Sequence, residues 1–369
     1  MKIALVHDHL AQMGGAEKVL QILCEMFPSA PVYTLLYDEK NVKKNFPNIH
    51  IEPSIIHKLP GGKKHYKWYM PLMPMAVEFF DLSDYDVVIS DSSSFAKGVI
   101  TKPNTFHISY CHTPTRYLWS DTHQYINDLR YNKYFKKIIS LILNYIRIWD
   151  KLAADRVDKY LTNSRTSLKR IKKYYRRKAE IIYPSIKIDD FSITKKQGDY
   201  YLAGCRLVPY KRLDILIEAF KKNGLKLKIF GDGVDKKRLE KIAEGYKNIE
   251  FLGQIEDDEK TYLYSRCIAF INPQIEDFGI TPLEAMASGR PVIAQKKGGS
   301  LESIIENETG VFFEKESPED INKAIQKLKN IKINPEKIRE HAKKFSHENF
   351  KKQFTEFLEK EYKKFKEEV

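Results

Sequence analysis

Cysteine is scarce in this chain: four residues, Cys24, Cys111, Cys205 and Cys267, in 369. None forms a C-x-x-C pair, and three of the four lie in apolar-periodic stretches. They read as buried, reduced thiols of a cytosolic protein rather than as a disulfide framework. Long apolar runs are also missing. None approaches the roughly 18 residues needed to span a bilayer. The opening MKIALVHDHL is too short for a signal peptide and reads as a first strand. The expectation is a cytoplasmic protein, at most peripheral on the inner face of the cytoplasmic membrane. Acidic residues are too few to balance the bases, 49 against 63, which leaves a net charge of +14. Such a surface favours anionic partners, although a lysine-rich composition can equally reflect thermophily or genome composition. The stretch 169–178, KRIKKYYRRK, is basic at seven of ten positions. It shows no RRM, KH or helix-turn-helix pattern, so a nucleic-acid-binding protein is a weak alternative and no nucleic acid partner is expected.

What is present is strand–helix alternation, twice. In the first half KIALVHDH, APVYTLL, DVVIS, TFHISYCH and YLTNS read as strands, with an amphipathic helix over about 16–27. In the second half DYYLAGCR, KLKIFGDG, IEFLGQ, CIAFINP, PVIAQ and GVFFE do the same. Apolar strands separated by helices imply parallel sheets covered on both faces. The boundaries expected are a first domain over 1–185, a polar linker over 186–199 and a second domain over 200–345. A last helix, 346–369, packs back on the first domain.

The stretch 271–302, INPQIEDFGITPLEAMASGRPVIAQKKGGSLE, carries the most chemistry. A strand ends at Asn272–Pro273, and a loop with Glu276, Asp277, Phe278 and Gly279 follows at the strand end where parallel sheets bind ligands. Thr281 suits an N-cap, Pro282 the first helical position and Gly289 the stop. Glu284 fits either of two roles, the partner of Thr281 in a capping box or an acceptor for a ribose diol. Arg206 and Lys211 follow the strand YYLAGCR, placed to hold a diphosphate, with Arg212 an alternative to Lys211 and a plain pair of surface cations the bland reading. Gly231-Asp232-Gly233 allows close backbone approach but is also an ordinary strand-to-helix turn.

In order and spacing, G-R-L-V-P-Y-K-R with Cys205 at the glycine position, GDG, EDFGITPLEAMASGRPVIA and GGSLE resemble glycosyltransferase family 4. The resemblance implies a retaining enzyme of two Rossmann-like domains facing across a cleft, the GT-B fold. It implies that Arg206 and Lys211 bind the donor diphosphate. Glu276 would contact the transferred sugar with the backbone at Phe278, Gly279 and Ile280 assisting, and Glu284 would bind the ribose. In the first half it implies that Gly14-Gly15, otherwise a turn before a helix, face the diphosphate. His112, otherwise a loop-capping residue, would touch the sugar. YCHTPTRYLW, and EDFGI with Asp277 in place of the commoner glycine, look especially like bacterial O-antigen mannosyltransferases. Asn163-Ser164 match a further family position without a role assigned. The resemblance therefore implies mannose from GDP-mannose, a lipid-diphosphate-linked glycan acceptor and no cofactor or metal. A UDP-sugar donor stays open, and a nucleotide-sugar epimerase is disfavoured by the 276–284 loop.

Two patterns are set aside. Asp84-Tyr85-Asp86 matches a metal-binding D-x-D but precedes its strand, at the wrong end for a ligand. His7-Asp8-His9 lacks a demonstrable set of three ligands. Two other stretches bear on membranes. Residues 57–80 interleave Lys63, Lys64 and Lys67 with Trp68, Tyr69, Met70, Leu72 and Met73, which suits an anionic membrane surface as well as a core. The stretch 130–151 is an amphipathic helix candidate, and packing inside the domain is favoured for 138–149.

Overall fold

The apolar runs fold as parallel strands, and their registers decide where polar side chains meet. The computed structural model describes every residue except Lys64, Arg130 and Val369. Among the described residues the chain divides into two units, Met1–Tyr183 with Lys351–Val369, and Pro184–Phe350. In the first unit the strands are β1 (Ile3–His7), β2 (Val32–Thr34), β3 (Ile51–Pro53), β4 (Val87–Ser92), β5 (Phe106–Cys111), β6 (Lys159–Thr162) and β7 (Glu180–Ile181), in the order β3-β2-β1-β4-β5-β6-β7. In the second they are β8 (Tyr200–Gly204), β9 (Lys226–Phe230), β10 (Ile249–Gly253), β11 (Phe270–Asn272), β12 (Val292–Gln295) and β13 (Gly310–Phe313), in the order β10-β9-β8-β11-β12-β13. Both sheets are Rossmann-like, as the strand–helix alternation predicts.

Every residue of β4 and β5 is buried, which is why central strands read as apolar runs without alternation. The sequence reading missed β3 and β7. They are two- and three-residue edge strands with half-exposed side chains and leave no apolar run to detect. In each sheet the order reverses beside the first strand, between β1 and β4 and again between β8 and β11. Crossovers leave such switch points on opposite faces, and the loops at the carboxyl ends there are where parallel sheets take ligands.

The helix Gly15–Met26 covers the first sheet with Val19, Leu20, Ile22 and Leu23. In the second unit Leu213–Asn223 does so with Leu213, Leu216, Ile217 and Phe220, and stops at Gly224. The stretch 186–199, read as a linker, belongs instead to the second unit. Ile186, Ile188 and Phe191 are buried there, and Arg339 donates to the carbonyls of Phe191 and Ile188. Its polar composition hid three apolar anchors. The closing helix spans His347–Glu368, and from Lys351 onward it belongs to the first unit. Phe354 meets Phe27, Phe365 meets Phe106, and Glu361 pairs with Lys159 at 2.8 Å. All four cysteines are free thiols.

A buried ion pair ties down the loops after β4 and β5. Lys97 Nζ lies 2.5 Å from Asp150 Oδ1, each side chain 1% exposed. Lys97 also donates to the Ser94 carbonyl, while Asp150 accepts from Thr115 Oγ1 and Trp119 Nε1. Both carboxylate oxygens are engaged and the ammonium has two acceptors and the Tyr175 ring beside it, which offsets the desolvation of the two charges. Asp150→Ala leaves Lys97 buried without its counter-charge and is expected to cost about 3–5 kcal/mol in denaturant unfolding. Lys97→Met with Asp150→Leu should lose much less, and equal losses in the two proteins would show that the ion pair is not what matters.

Candidate active site

In the first unit the site begins at the switch point. Parallel pairing sets His7, the last residue of β1, beside Asp91 of β4, and Tyr110 of β5 beside Asp91 on the other side. Asp91 is thereby held between two imidazoles. His7 Nδ1 lies 2.8 Å from Asp91 Oδ2, and His112 Nε2 lies 2.6 Å from Asp91 Oδ1. Glu17, in the first turn of the helix Gly15–Met26, approaches His7 Nε2 at 3.8 Å. Burial by itself lowers the His7 imidazole, but the hydrogen bonds and charges of Asp91 and Glu17 outweigh it and push it up to about 10. Burial likewise raises Asp91 and Glu17, and the histidines outweigh it and hold Asp91, as His7 holds Glu17, below the usual carboxylate range. At neutral pH His7 is therefore a cation that donates to Asp91. With Nε2 of His112 engaged by Asp91, Nδ1 is the other ring nitrogen of His112. The His112 carbonyl accepts from Ser167 Oγ at 2.6 Å, which fixes the backbone that carries the ring.

Gly14 and Gly15 lead into the helix. Gly14 is extended, and a side chain there would come within 3.0 Å of Glu17 Oε2. The His7 cation offsets the charge of Glu17 beside these amides, so the loop does not repel an anion outright. Asp8 turns away from any ligand role. It accepts from the backbone N–H groups of Ser93, Phe95 and Ala96, each at 2.7 Å. Ser164 caps the helix Arg165–Arg170 and donates to Asn163, so this pair is built into the fold. Asp84 and Asp86 sit at the amino end of β4. Asp86 accepts from Lys2 N at 2.7 Å and Asp84 pairs with Lys2 Nζ at 3.7 Å, which is a strand-entry role. Part of the stretch 169–178 is also structural, while Lys169, Lys172, Lys173, Arg176 and Lys178 are exposed. Ile171 and Tyr175 are core, Arg170 donates to Thr113, and Arg177 donates to the carbonyls of Asp155 and Val157.

In the second unit the ends of β8, β9 and β11 converge. Lys211 Nζ forms a short ion pair with Glu276 Oε1, and Gln274 Nε2 donates to the same oxygen at 2.9 Å. Burial lowers the Lys211 ammonium, and the charge of Glu276 outweighs it, so Lys211 sits above its ordinary value and is a cation at neutral pH. Arg212, the alternative to Lys211, turns elsewhere, to Glu316 and Asp214. Arg206 is exposed, with Tyr210 Oη 3.2 Å from its guanidinium. The loops lie backbone against backbone. Gly231 has φ +117, and a Cβ there would stand 1.9 Å from the Cys205 carbonyl. Gly298 has φ +65, and its Cβ would stand 2.4 Å from the Glu276 carbonyl. No other residue type fits either place. Gly233 is held across the same strand end, where the Asp235 N–H donates to the Leu207 carbonyl. Phe278 is buried beneath Gly299, with Gly279 and Ile280 leading on to the helix Thr281–Ala287.

The two readings of Glu284 separate here. Thr281 is the first helical residue, the cap is Ile280, and no side chain caps the helix. Glu284, 1% exposed, instead accepts from Lys260 Nζ at 2.7 Å and Tyr264 Oη at 3.0 Å. The capping-box reading and the N-cap assigned to Thr281 both fail. Pro282 at the second helical position already presets the turn without a side-chain cap. Burial and the Glu284 charge raise the Tyr264 hydroxyl well above its ordinary value, so it stays a donor. Asn272 Oδ1 and Gln274 Oε1, at the end of β11, are buried acceptors without a protein partner among the described residues.

The chain matches two family models, Glycosyltransferase Family 4 over residues 13–190 and Glycosyl transferases group 1 over residues 185–345. The chain belongs to the family 4 glycosyltransferases. This glycosyltransferase is 26% identical to an uncharacterized glycosyltransferase of Methanocaldococcus jannaschii, with 94% of this chain and 93% of that protein covered. It is 25% identical to an alpha-1,3/1,6-mannosyltransferase of Dictyostelium discoideum, with 95% and 94% covered. The O-antigen chain mannosyltransferase of Salmonella typhimurium is 30% identical over 46% of this chain and half of its own. Among solved structures, Anabaena HepE in complex with UDP and glucose aligns with a TM-score of 0.74 at 18% identity, covering 97% of this chain and 99% of its own. That likeness concerns the fold, which is GT-B.

Asp91, Glu17, Lys260 and Tyr264 escaped the sequence reading of the glycosyltransferase, and His7 was weighed only as a metal ligand. Lys260 and Tyr264 lie on a helix with no motif. Asp91 did leave a signal, as an acid inside a strand otherwise apolar or small. The histidine cluster makes stability depend on pH. His7, raised in the fold, contributes stability fully present below 6.5 and lost as pH rises toward about 10. Asp91, lowered in the fold, contributes stability present above 3.8 and lost in acid. Thermal midpoints measured from pH 6.5 to 10 should fall in the wild type and fall less steeply in Asp91→Asn. Parallel curves for the two proteins would remove His7 from the account.

Proposed function

We propose that this glycosyltransferase moves mannose from GDP-mannose to a lipid-diphosphate-linked glycan of a surface polysaccharide such as O-antigen, with retention of configuration. The observation that carries the reading is the pairing of Lys211 with Glu276 where the β8 and β11 loops converge. A cation for the diphosphate and a carboxylate for the sugar neutralise each other there until a donor arrives. Binding transfers Lys211 to the phosphate and releases Glu276 to the sugar hydroxyls. Arg206 adds a second positive charge, and Glu284, already aligned by Lys260 and Tyr264, takes the ribose diol. Asn272 Oδ1 and Gln274 Oε1 offer further acceptors for hydroxyl groups. In the first unit, Asp91 holds the His112 ring and the Gly14-Gly15 amides lead into a helix N-terminus, groups suited to a sugar hydroxyl and to a phosphate.

The reaction breaks the bond between the anomeric carbon and the diphosphate oxygen. The departing diphosphate takes the acceptor proton, and the acceptor oxygen joins the sugar on the same face. Charge grows on the diphosphate as that bond breaks, so cations aimed at it bind the transition state more tightly than the ground state. The scheme calls for no carboxylate nucleophile and no metal. The mannose assignment is supported by the motif YCHTPTRYLW and by mannosyltransferases among the relatives. The lipid-linked acceptor places the work at the inner face of the cytoplasmic membrane.

Lys211→Ala is expected to lower turnover about 100- to 1,000-fold with the fold intact by circular dichroism, the loss typical of a transition-state charge contact. Glu284→Gln should weaken donor binding and cost about 1–3 kcal/mol of stability, because Lys260 keeps only a neutral partner. Donor affinity unchanged in that variant would make Glu284 a structural residue alone.

A panel of GDP-mannose, UDP-glucose, UDP-GlcNAc and ADP-glucose, with and without EDTA, tests the donor by thermal shift and hydrolysis. GDP-mannose should stabilise the protein most, and EDTA should change nothing. Stabilisation by a UDP-sugar in its place would overturn the mannose assignment, and loss of activity in EDTA the metal-independent scheme.

A further inference from the structure

The helix Lys133–Asp155 has two apolar faces. Leu143, Ile146, Trp149 and Ala153 pack into the core of the first unit, which accounts for the packing expected of 138–149. A second row, Tyr134, Ile138, Leu141, Tyr145, Ile148 and Leu152, is more than half exposed at every position. Its steps alternate between four and three residues, so the row forms one continuous stripe along the helix. At 1.5 Å per residue it runs for about 27 Å. A neighbouring segment repeats the pattern. Trp68, Leu72, Met75 and Phe79 follow the same four-three-four spacing and are all exposed, Trp68 at 74%. The two segments are neighbours, because Trp149 Nε1 donates to Glu78 Oε1 at 2.8 Å and Met73, Ala76 and Val77 share a core cluster with Leu143 and Ile146.

Charge identifies what covers this face. No acidic residue lies between Asp128 and Asp150, while Arg130, Lys133, Lys136, Lys137 and Arg147 do. None lies between Glu52 and Glu78, while Lys58, Lys63, Lys64 and Lys67 do. Asp150 is buried against Lys97, Asp155 is paired with Lys151 and Lys63 with Glu39, so exposed Lys58, Lys67, Lys133 and Lys137 leave the balance of the face positive. A second copy of the chain would bring two positive faces together, which like-charge repulsion opposes. Exposed apolar rows with tryptophan and tyrosine, bordered by lysine, match an anionic lipid–water interface in both respects. Among the described residues no helix is long and apolar enough to cross a membrane.

We propose that the exposed rows of Lys133–Asp155 and of residues 68–79 dock the enzyme on an anionic phospholipid surface, apolar side chains among the acyl chains and lysines at the headgroups. The docking rests on the lipid-linked acceptor proposed above only for why the enzyme visits a membrane. Vesicles without acceptor test the face separately from the donor and the reaction.

The full-length protein is floated with phosphatidylcholine vesicles containing about one-third phosphatidylglycerol, and with pure phosphatidylcholine, in about 0.1 M salt. It should float with the anionic vesicles at least about 10-fold more than with the neutral ones, since each lysine near such a surface adds attraction. Leu141→Glu with Ile148→Glu should lose that binding by about 10-fold or more and keep the wild-type melting curve, because both positions face solvent. Lys133→Glu with Lys137→Glu should lose the preference for anionic lipid. A wild type that stays at the bottom of the gradient, or a Leu141→Glu/Ile148→Glu protein that floats as well as wild type, overturns the proposal. So does a wild-type dimer by light scattering that the same double substitution dissolves, since a second copy then covers the face.

Discussion

A parallel strand buried on both faces leaves no place along its length for an unpaired polar side chain. Within the strands polar side chains are few and mostly paired, as Ser90 is with His107 at 2.9 Å, and the candidate ligand-binding groups lie at or beyond the strand ends. Polar chemistry is pushed to the carboxyl ends, where the loops open beside the strand-order reversals at β1/β4 and β8/β11. His7, Asp91 and His112 gather at the first of these, and Lys211, Gln274 and Glu276 at the second.

At these ends the cost of burying charge is met by pairing. Asp91 lies between two imidazoles, Lys211 lies against Glu276, and Lys260 lies against Glu284. For His7 and Lys211 the attraction of the carboxylates exceeds the desolvation that opposes it, so both are cations before any ligand binds. Such a site is organised in advance, and a donor exchanges partners within it instead of ordering loose side chains. Glycines complete the arrangement, because only their bare backbones let the 231–233 and 298–299 loops rest on neighbouring carbonyls.

Most of the fold was legible in the chain. Eleven of the thirteen described strands coincide with apolar runs, and the two missed ones are short edges. The motif residues Arg206, Lys211, Glu276 and Glu284 were found because each lies in a loop or first helical turn with a recognisable local spacing. Their partners were less visible. Lys260 and Tyr264 reach Glu284 from a helix about twenty residues earlier in the chain, and Asp91 reaches His7 across 84. The stretch 186–199 looked like a linker because its three buried anchors are spaced among polar residues.

Sequence alone determined the class of fold, the family and the strand ends that carry polar chemistry, since period, turn chemistry and motif spacing are local properties of a chain. Tertiary structure decided which charges pair, because a carboxylate takes whichever donor the sheet register brings within about 3 Å. It also decided which apolar row of Lys133–Asp155 is core and which faces outward. Both rows have helical spacing, and hydrophobicity does not say which side the rest of the chain will cover.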